Sequence, residues 1–403
     1  MKQRNKFATI LSVLLLITGS VISLKFFSDS KKSEPITKEE KPGKYPSDIE
    51  YIKRTFPHYQ ADPSAHLEAL EKAQTMRRET LNDNSIPAWE FAGPINIGGR
   101  FSDIEYDPVN PNIVYAGAAT GGVFKSTDAG ITWTPVFDEQ AVLPAGDIAV
   151  DPVNPSIVYV GTGEPNGGHN NFSGGGVYKS TNAGATWQRI GLENTVSIGR
   201  VLVNPANPLR VYVAAVGSYF GPNPERGVYR SDNGGATWSR VLYVSDSCGA
   251  IDIIMDPVNP NNMMAAMWQR TRYPNGGQLY GRESGIHKTT DGGNTWTVLG
   301  AANGLPNSST TNVGRIGLSI SNSSPNIAYA LYTNGTTYSG FFKTTNAGLN
   351  WTNANGGGLQ SGFSTFSWYF GQVRVHPTNP DIVYVLDLEV MKSTNSGTSW
   401  SEI

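Results

Sequence analysis

The chain has 403 residues, 45 of them glycine and 25 proline, with 16% charged residues and a formal net charge of −2. That balance supplies no basic stripe for nucleic acid. One cysteine, Cys248, leaves no internal disulfide and no paired-cysteine zinc or haem site, and the five histidines form no His-Glu-x-x-His spacing, so no cofactor or metal is expected.

In chain order, Met1 to Lys6 carries three basic side chains ahead of Ala8 to Leu24, an apolar run without charge. A basic head before such a run predicts an export signal or an uncleaved membrane anchor over residues 1–24. Val21-Ile22-Ser23 would serve as a cleavage site, and no lipobox cysteine is present. Both readings place the remainder of the chain outside the cytoplasm, extracellular or at the cell surface, because the positive flank stays inside. Residues 25–48, rich in Lys, Glu, Pro and Ser, read as a flexible tether. Residues 49–85 form a helical segment: Asp62 before Pro63 caps a helix running to about Arg78, with Leu67, Leu70, Ala73 and Met76 as its apolar stripe. This helix is expected to pack on the outside of the C-terminal domain.

From residue 86 to 403 the chain repeats. The octapeptide Ser-x-Asp-x-Gly-x-x-Trp, with small variations, ends at Trp133, Trp187, Trp238, Trp296, Trp351 and Trp400. A period near fifty flanked by strand-like runs signals a propeller or solenoid. The octapeptide is chemically a hairpin turn. Its third residue (Asp128, Asn182, Asn233, Asp291, Asn346, Asn395) can bond backbone amides, its glycine supplies positive φ, and its tryptophan opens the returning strand. Turn geometry accounts for these side chains without catalysis.

A second phrase precedes each octapeptide, as in DPVNPNIVYAG from Asp107 and DPVNPSIVYVG from Asp151, where Asn-Pro marks a turn and the β-branched run after it a strand. A third run (GVFKS, GVYKS, GVYRS, GIHKT, GFFKT, EVMKS) adds another strand. Each unit is then four antiparallel strands, a propeller blade. The predicted fold is an all-β propeller with six recognisable blades, part of a seven-bladed or larger ring. WEFAGPINIGGR from Trp89 parallels WQRIGLENTVSIGR from Trp187, so Trp89 reads as a fourth strand whose own blade would continue beyond Ile403, leaving the present ring open. His287, where other units carry aromatic or Met residues, reads as a packed core histidine. The basic residue after it in every unit (Lys125, Lys179, Arg230, Lys288, Lys343, Lys392) reads as structural, its stem over apolar surface and its head toward water or a carboxylate.

These octapeptides and the phrases VYVGTGEPN, FGPNPERGVYRS and AAMWQRTR resemble the bacterial-neuraminidase-repeat (Asp-box) propellers, and among them exported bacterial proteins with a sortilin N-terminal-like region, often labelled glycosyl hydrolases. The resemblance runs from about Trp89 to Ile403 and implies the propeller fold more than any chemistry. Sialidases of this class carry Arg-Ile-Pro, which this chain lacks. Two-propeller xyloglucanases carry Thr-Asp-Val-Gly-Gly with a catalytic Asp, and the matching stretch here, Ala118 to Gly122, puts Ala119 at that position. Glycoside hydrolysis usually takes two carboxylates, so neither activity is expected.

Loops of unusual composition mark a candidate binding face. Gly163 to Gly175 holds Glu164 and His169, Gly217 to Arg226 holds Glu225 and Arg226, and Trp268 to Glu283 holds Trp268, Arg270, Tyr273 and Tyr280. Aromatics beside Arg and Glu suit sugar stacking or peptide capture. Equally, they could pack the loops onto the blades. The sequence thus predicts an exported, non-catalytic binding propeller for a polypeptide or glycan, with a glycoside hydrolase or lyase of non-standard active site as the alternative.

Overall fold

The computed structural model describes residues 62–81, 98–168, 171–273, 276–354, 358–359 and 365–403. The described residues all lie in the second of two units, residues 45–403. The export or anchor run, the tether, Trp89 and His169 lie outside the described residues. Among those described, no helix is long and apolar enough to cross a membrane.

The second unit holds six four-stranded antiparallel sheets, each a blade of a six-bladed propeller. Blade 1 is β1 (Phe101–Tyr106), β2 (Val114–Ala118), β3 (Gly122–Ser126) and β4 (Thr134–Pro135). Blade 2 is β5 (Ala145–Val150), β6 (Val158–Thr162), β7 (Val177–Ser180) and β8 (Gln188–Arg189). Blade 3 is β9 (Ile198–Val203), β10 (Val211–Ala215), β11 (Gly227–Ser231) and β12 (Ser239–Leu242). Blade 4 is β13 (Cys248–Met255), β14 (Met263–Gln269), β17 (Gly285–Thr289) and β18 (Thr297–Leu299). An inserted hairpin, β15 (Thr271–Tyr273) with β16 (Gly276–Gln278), occupies what the sequence reads as a loop. Blade 5 is β19 (Ile316–Ile320), β20 (Ala328–Thr333), β21 (Tyr338–Thr344) and β22 (Thr352–Asn353), and blade 6 is β23 (Gln372–Val375), β24 (Val383–Leu386), β25 (Val390–Ser393) and β26 (Ser401–Glu402).

Antiparallel order puts the Asn-Pro turns and the octapeptide turns at one end of the ring, and the remaining loops at the other. At the turn end the chemistry repeats. All six octapeptide glycines have φ between 80° and 95°. The third residue accepts the amide four positions on in every copy, from Thr132 onto Asp128 at 2.8 Å to Ser399 onto Asn395 at 2.9 Å. The residue before the glycine also has positive φ (Ala129, Ala183, Gly234, Gly292, Ala347, Ser396). The turn is therefore a double left-handed bend, and alanine there is strained. Asp107, Asp151 and Asp256 cap the Asn-Pro turns, each carboxylate accepting two amides.

The recurring basic residue has a partner the sequence did not suggest. Lys125 Nζ donates 2.8 Å to the Ala183 carbonyl, Lys179 2.9 Å to Gly234 and Arg230 2.9 Å to Gly292. Each acceptor is the carbonyl of the left-handed residue before the glycine in the next blade's octapeptide. A tyrosine one strand inward donates to the same oxygen: Tyr115 to Ala183, Tyr159 to Gly234, Tyr212 to Gly292. In these three units the basic residue is thus a latch between blades, and Arg230 and Lys343 also reach carboxylates, as expected, at Asp232 and Asp381. His287 stays neutral in its sheet, with burial pushing its pKa down to about 4.

Five apolar clusters fill the five junctions from blades 1–2 to blades 5–6. The tryptophans join them: Trp187 Nε1 donates to Val136 of blade 1, and Trp238 Nε1 to Ile190 of blade 2. Among the described residues, blades 6 and 1 share no such cluster, and a cleft of about 360 Å³ lies between them, lined by Phe101, Ile104, Gln372 and Leu386. Outside the ring, α1 (Pro63–Leu81) is capped by Asp62, whose carboxylate accepts Ser64 and Ala65 amides at 3.1 and 3.2 Å. Only Leu67 of the expected stripe is buried, while Met76 faces solvent. Polar bonds complete the docking: Arg78 donates to the Glu139 carbonyl, and Glu71 pairs with Arg189.

Candidate functional site

The loop end is built around a strap. Residues 163–168 and 171–175, between β6 and β7, lie at this end, and the first of these segments is gripped by guanidinium groups from other blades. Arg100 Nη2 lies 2.7 Å from Glu164 Oε2, and Tyr369 donates 2.7 Å to Glu164 Oε1. Arg315 donates 2.8 Å to Asn166 Oδ1, Arg270 donates 3.1 Å to the Gly167 carbonyl, and Arg272 donates to Gly168. Arg226 reaches the carbonyls of Ser218, Ser247 and Arg270. Carbonyls left without secondary-structure partners accept these donors, as buried backbone requires.

Most sequence candidates belong to this bracing. Glu164, Arg226, Trp268 and Arg270 are all buried. Trp268 donates 2.9 Å to the Leu279 carbonyl and packs edge-on to Tyr219. Burial pulls Arg270 down to about 9, with Arg272 and Arg226 adding like charge. Glu225 accepts 3.0 Å from Tyr229 and does not meet Glu164 as a carboxylate pair. Tyr273 ends β15 opposite Gly276. Ala119 is buried with its amide on the Arg100 carbonyl at 2.9 Å, and its methyl side chain supplies no carboxylate at that position.

The exposed half of the third loop does make a surface. Between blades 4 and 5 lies a groove of about 570 Å³ lined by Gln269, Gln278, Tyr280, Arg282, Glu283 and the Ser308–Asn312 segment. Tyr280 is 44% exposed, which leaves a ring face free for stacking. Ser245 Oγ donates 2.6 Å to Glu283 Oε2, and the Glu283 amide donates 3.2 Å to Gln269 Oε1. Ser308 ties the far wall down through the Arg282 carbonyl at 2.7 Å. An aromatic face beside amides, a guanidinium, hydroxyls and one carboxylate can stack a pyranose and bond its hydroxyls. The sequence singled out this loop; the covering hairpin, which decides which half is exposed, was not legible. Among the described residues no cluster of His, Cys, Asp or Glu is arranged to hold a metal ion.

The central channel carries a second polar group. Arg200 bridges Asp147 at 3.2 Å and Asp252 at 3.0 Å. Asp103, Asp147 and Asp252 each accept an amide from the next blade's inner strand, at 3.0, 2.7 and 3.0 Å. This recurrence makes them links between inner strands. Burial and the Asp103 charge hold Asp147 well above the usual carboxylate range.

No family model matches the chain. Two relatives named as xyloglucanases do: one from Paenibacillus sp., 26% identical over 344 residues, 76% of this chain and 31% of the relative; and one from Hypocrea jecorina (strain QM6a), 27% identical over 243 residues, 53% and 28%. The chain thus spans about a third of the length of the relatives it matches. Among solved structures, the GH74 enzyme of Niastella koreensis matches at 25% identity and TM-score 0.56 over 74% of this chain and 46% of that one. The GH74 xyloglucanase of Xanthomonas campestris matches at 17% identity and TM-score 0.55 over 76% and 45%, a likeness of fold. These findings overturn the expectation of a non-catalytic binding propeller. They favour its alternative, a glycoside hydrolase.

Proposed function

We propose that this chain is the propeller of an exported glycoside hydrolase acting on a β-glucan polysaccharide of the xyloglucan type. The observation that carries the reading is the match of 76% of the chain to a xyloglucanase at 26% identity. The groove between blades 4 and 5 supports it. Tyr280 stacks on a sugar ring, Gln278 and Arg282 bond hydroxyls, and Glu283, oriented by Ser245, gives a proton to the glycosidic oxygen as its bond to the anomeric carbon breaks and water adds to that carbon. A carboxylate pair is the usual requirement. Glu283 is the one carboxylate lining this groove among the described residues, and Ala119 departs from the resembled motif, so the active site is non-standard. Export agrees with the N-terminal run, since such polymers lie outside the cell. The six octapeptide turns support an Asp-box propeller at the level of fold.

The test is release of reducing ends from xyloglucan, with Glu283→Gln and Tyr280→Ala beside the parent protein. The expected result is turnover lowered by at least about 100-fold in Glu283→Gln, in line with loss of general acid–base catalysis, and a raised KM in Tyr280→Ala. Retention of xyloglucan without any bond cleavage would sink the hydrolase reading. Turnover untouched by Glu283→Gln would move the acid out of this groove.

A further inference from the structure

At the turn-end mouth of the channel the inner strands stand in register, and their side chains divide by blade. One layer holds Glu105, Ala149, Leu202, Ile254, Ser319 and Arg374. Blades 2–4 give it an apolar half-circle, and blades 5, 6 and 1 a polar one. All six residues line a cavity of about 430 Å³. The Asn-Pro turns carry nearly the same division to the rim. Val109, Val153, Ala206 and Val258 hold the third turn position in blades 1–4, where blades 5 and 6 have Ser323 and Thr378. The three valines are 73%, 65% and 79% exposed. The charges below this mouth are unequally matched. One layer deeper, Arg200 is held by Asp147 and Asp252, and Asp103 accepts the Ile148 amide. Arg374 has no carboxylate within ion-pair distance among the described residues. It donates to the Val373 carbonyl at 2.9 Å and to Gln372 Oε1 at 3.1 Å. Beside it Ser319 accepts the Val375 amide at 3.0 Å, which leaves the hydroxyl proton for a ligand. Burial and Asp103 lift the Glu105 carboxyl to about 7 against the pull of Arg200 and Arg374, so below that pH it too is a donor.

We infer that the turn-end mouth is a binding site for a medium-chain carboxylic acid, its carboxylate on Arg374 and Ser319 and its chain along Leu202 and Ile254 to the rim valines. A cavity of this size, apolar with a few convergent polar groups, is the usual form of a small-molecule site. The charge balance selects the head group. One guanidinium without a carboxylate partner matches one negative charge. A second negative charge would be repelled by Asp103, Asp147 and Asp252 beneath, and an ammonium would face Arg374. The depth selects the tail. Four residues separate the Arg374 layer from the third turn position, as in Ala149 to Val153 and Ile254 to Val258. That is at most about 13 Å of extended strand, a span that an alkyl chain fills and acetate does not. The inference does not depend on the proposed activity, whose groove lies at the other end of the ring.

The experiment is calorimetric titration of the full chain at about pH 6, where Glu105 keeps its proton, with octanoate, acetate, octanol and octylammonium as probes. Octanoate binds at least about 10-fold more tightly than each of the other three, because head group and chain both contribute. Arg374→Gln lowers octanoate affinity by about 10-fold or more, the loss of a hydrogen-bonded charge. The double variant Val153→Ser with Val258→Ser, at exposed positions that leave the fold intact, lowers it by about 3-fold or more. This rim variant reads the site even where the channel variant does not fold. Three results would overturn the inference: octanoate held no better than acetate or octanol; an affinity unchanged in Arg374→Gln; or parent affinity in the rim variant, which would take the chain away from the mouth and leave Arg374 serving the cleft between blades 6 and 1.

Discussion

The two ends of this propeller are built on opposite terms. At the turn end, one solution recurs six times: a carboxylate or amide accepting an amide four residues on, two left-handed residues, and a tryptophan. At the loop end nothing recurs. Arg100, Arg226, Arg270, Arg272 and Arg315 each satisfy a different set of carbonyls or a different side chain. The repeated end fixes the spacing of the blades. The irregular end closes one mouth of the channel with a strap and leaves a polar groove beside it. Repetition here marks what every blade needs, and its loss marks where the molecule differs from a bare scaffold.

The largest expected effect tests the turn end. Trp187 packs edge-on to Phe137 with ring centroids 5.3 Å apart and donates 2.8 Å to Val136. Trp187→Ala should cost about 3–5 kcal/mol, the range for truncating a packed aromatic. Trp133 holds the same place in its own octapeptide but is 40% exposed and bonds only its own turn. Trp133→Ala should cost less than about 1 kcal/mol, as surface changes do. Denaturant midpoints of the two variants decide it. Equal losses would mean that the tryptophan acts through its own turn and not as a wedge between blades.

At the loop end the comparable change is Glu164→Gln. Its carboxylate is buried, pairs with Arg100 and accepts from Tyr369. The amide keeps the shape but loses the charge, and hydrogen bonds to charged groups are worth about 1.5–3 kcal/mol. A loss of about 2 kcal/mol in global unfolding is expected, together with faster proteolysis of the strap. Wild-type stability with a loosened strap would make the loop end a separately unfolding unit.

Glycine substitutions separate backbone strain from packing. Gly130 and Gly235 have φ of 89° and 95°. A Cβ on Gly130 would meet only Trp133 Cζ2 at 3.5 Å, while on Gly235 it would lie 2.2 Å from Ile190 Cδ1. Gly130→Ala should cost about 1 kcal/mol from the left-handed backbone alone. Gly235→Ala should cost roughly 1 kcal/mol more, through displacement of Ile190 across the blade 2–3 junction. Identical midpoints would show that the junction yields freely.

The fold was legible because its signals are local and repeated: turn residues at fixed offsets, then β-branched runs. Fourth strands of two to four residues were placed by their tryptophans. The latch could not be read from Lys125 or Lys179 alone, since its acceptor is a backbone carbonyl turned outward by the left-handed bend in the next unit. Burial of Glu164, Arg226 and Arg270 also escaped sequence reading. Nothing in a loop's composition says that three other blades will send guanidinium groups to it. Tyr280 and Glu283 were within reach, in a loop already singled out. Separating them from buried Trp268 needed the β15–β16 hairpin, whose short Gly-Gly return carries no strong strand pattern.

The smallest effect belongs to the inner strands, where the turn-end mouth of the channel carries charge. Glu105 occupies the register held by Ala149 in blade 2 and Leu202 in blade 3. It lines the wide mouth with Arg200 and Arg374. Burial and the neighbouring Asp103 lift its carboxyl to about 7, against the opposing pull of Arg200 and Arg374. A carboxyl whose folded pKa exceeds its unfolded value binds its proton more tightly in the folded state. Folding therefore gains stability as pH falls from about 8 toward about 5, and loses it as pH rises through about 7. Gln cannot ionise, so Glu105→Gln removes that slope. Allowing for solvent at the mouth, the variant should be more stable than the parent by about 1 kcal/mol at about pH 8, with no difference near about pH 5. Urea midpoints at the two pH values read this directly. A variant less stable at the higher pH would mean that attraction from Arg200 and Arg374 outweighs burial, and that Glu105 is an ionised tie between the first and last blades.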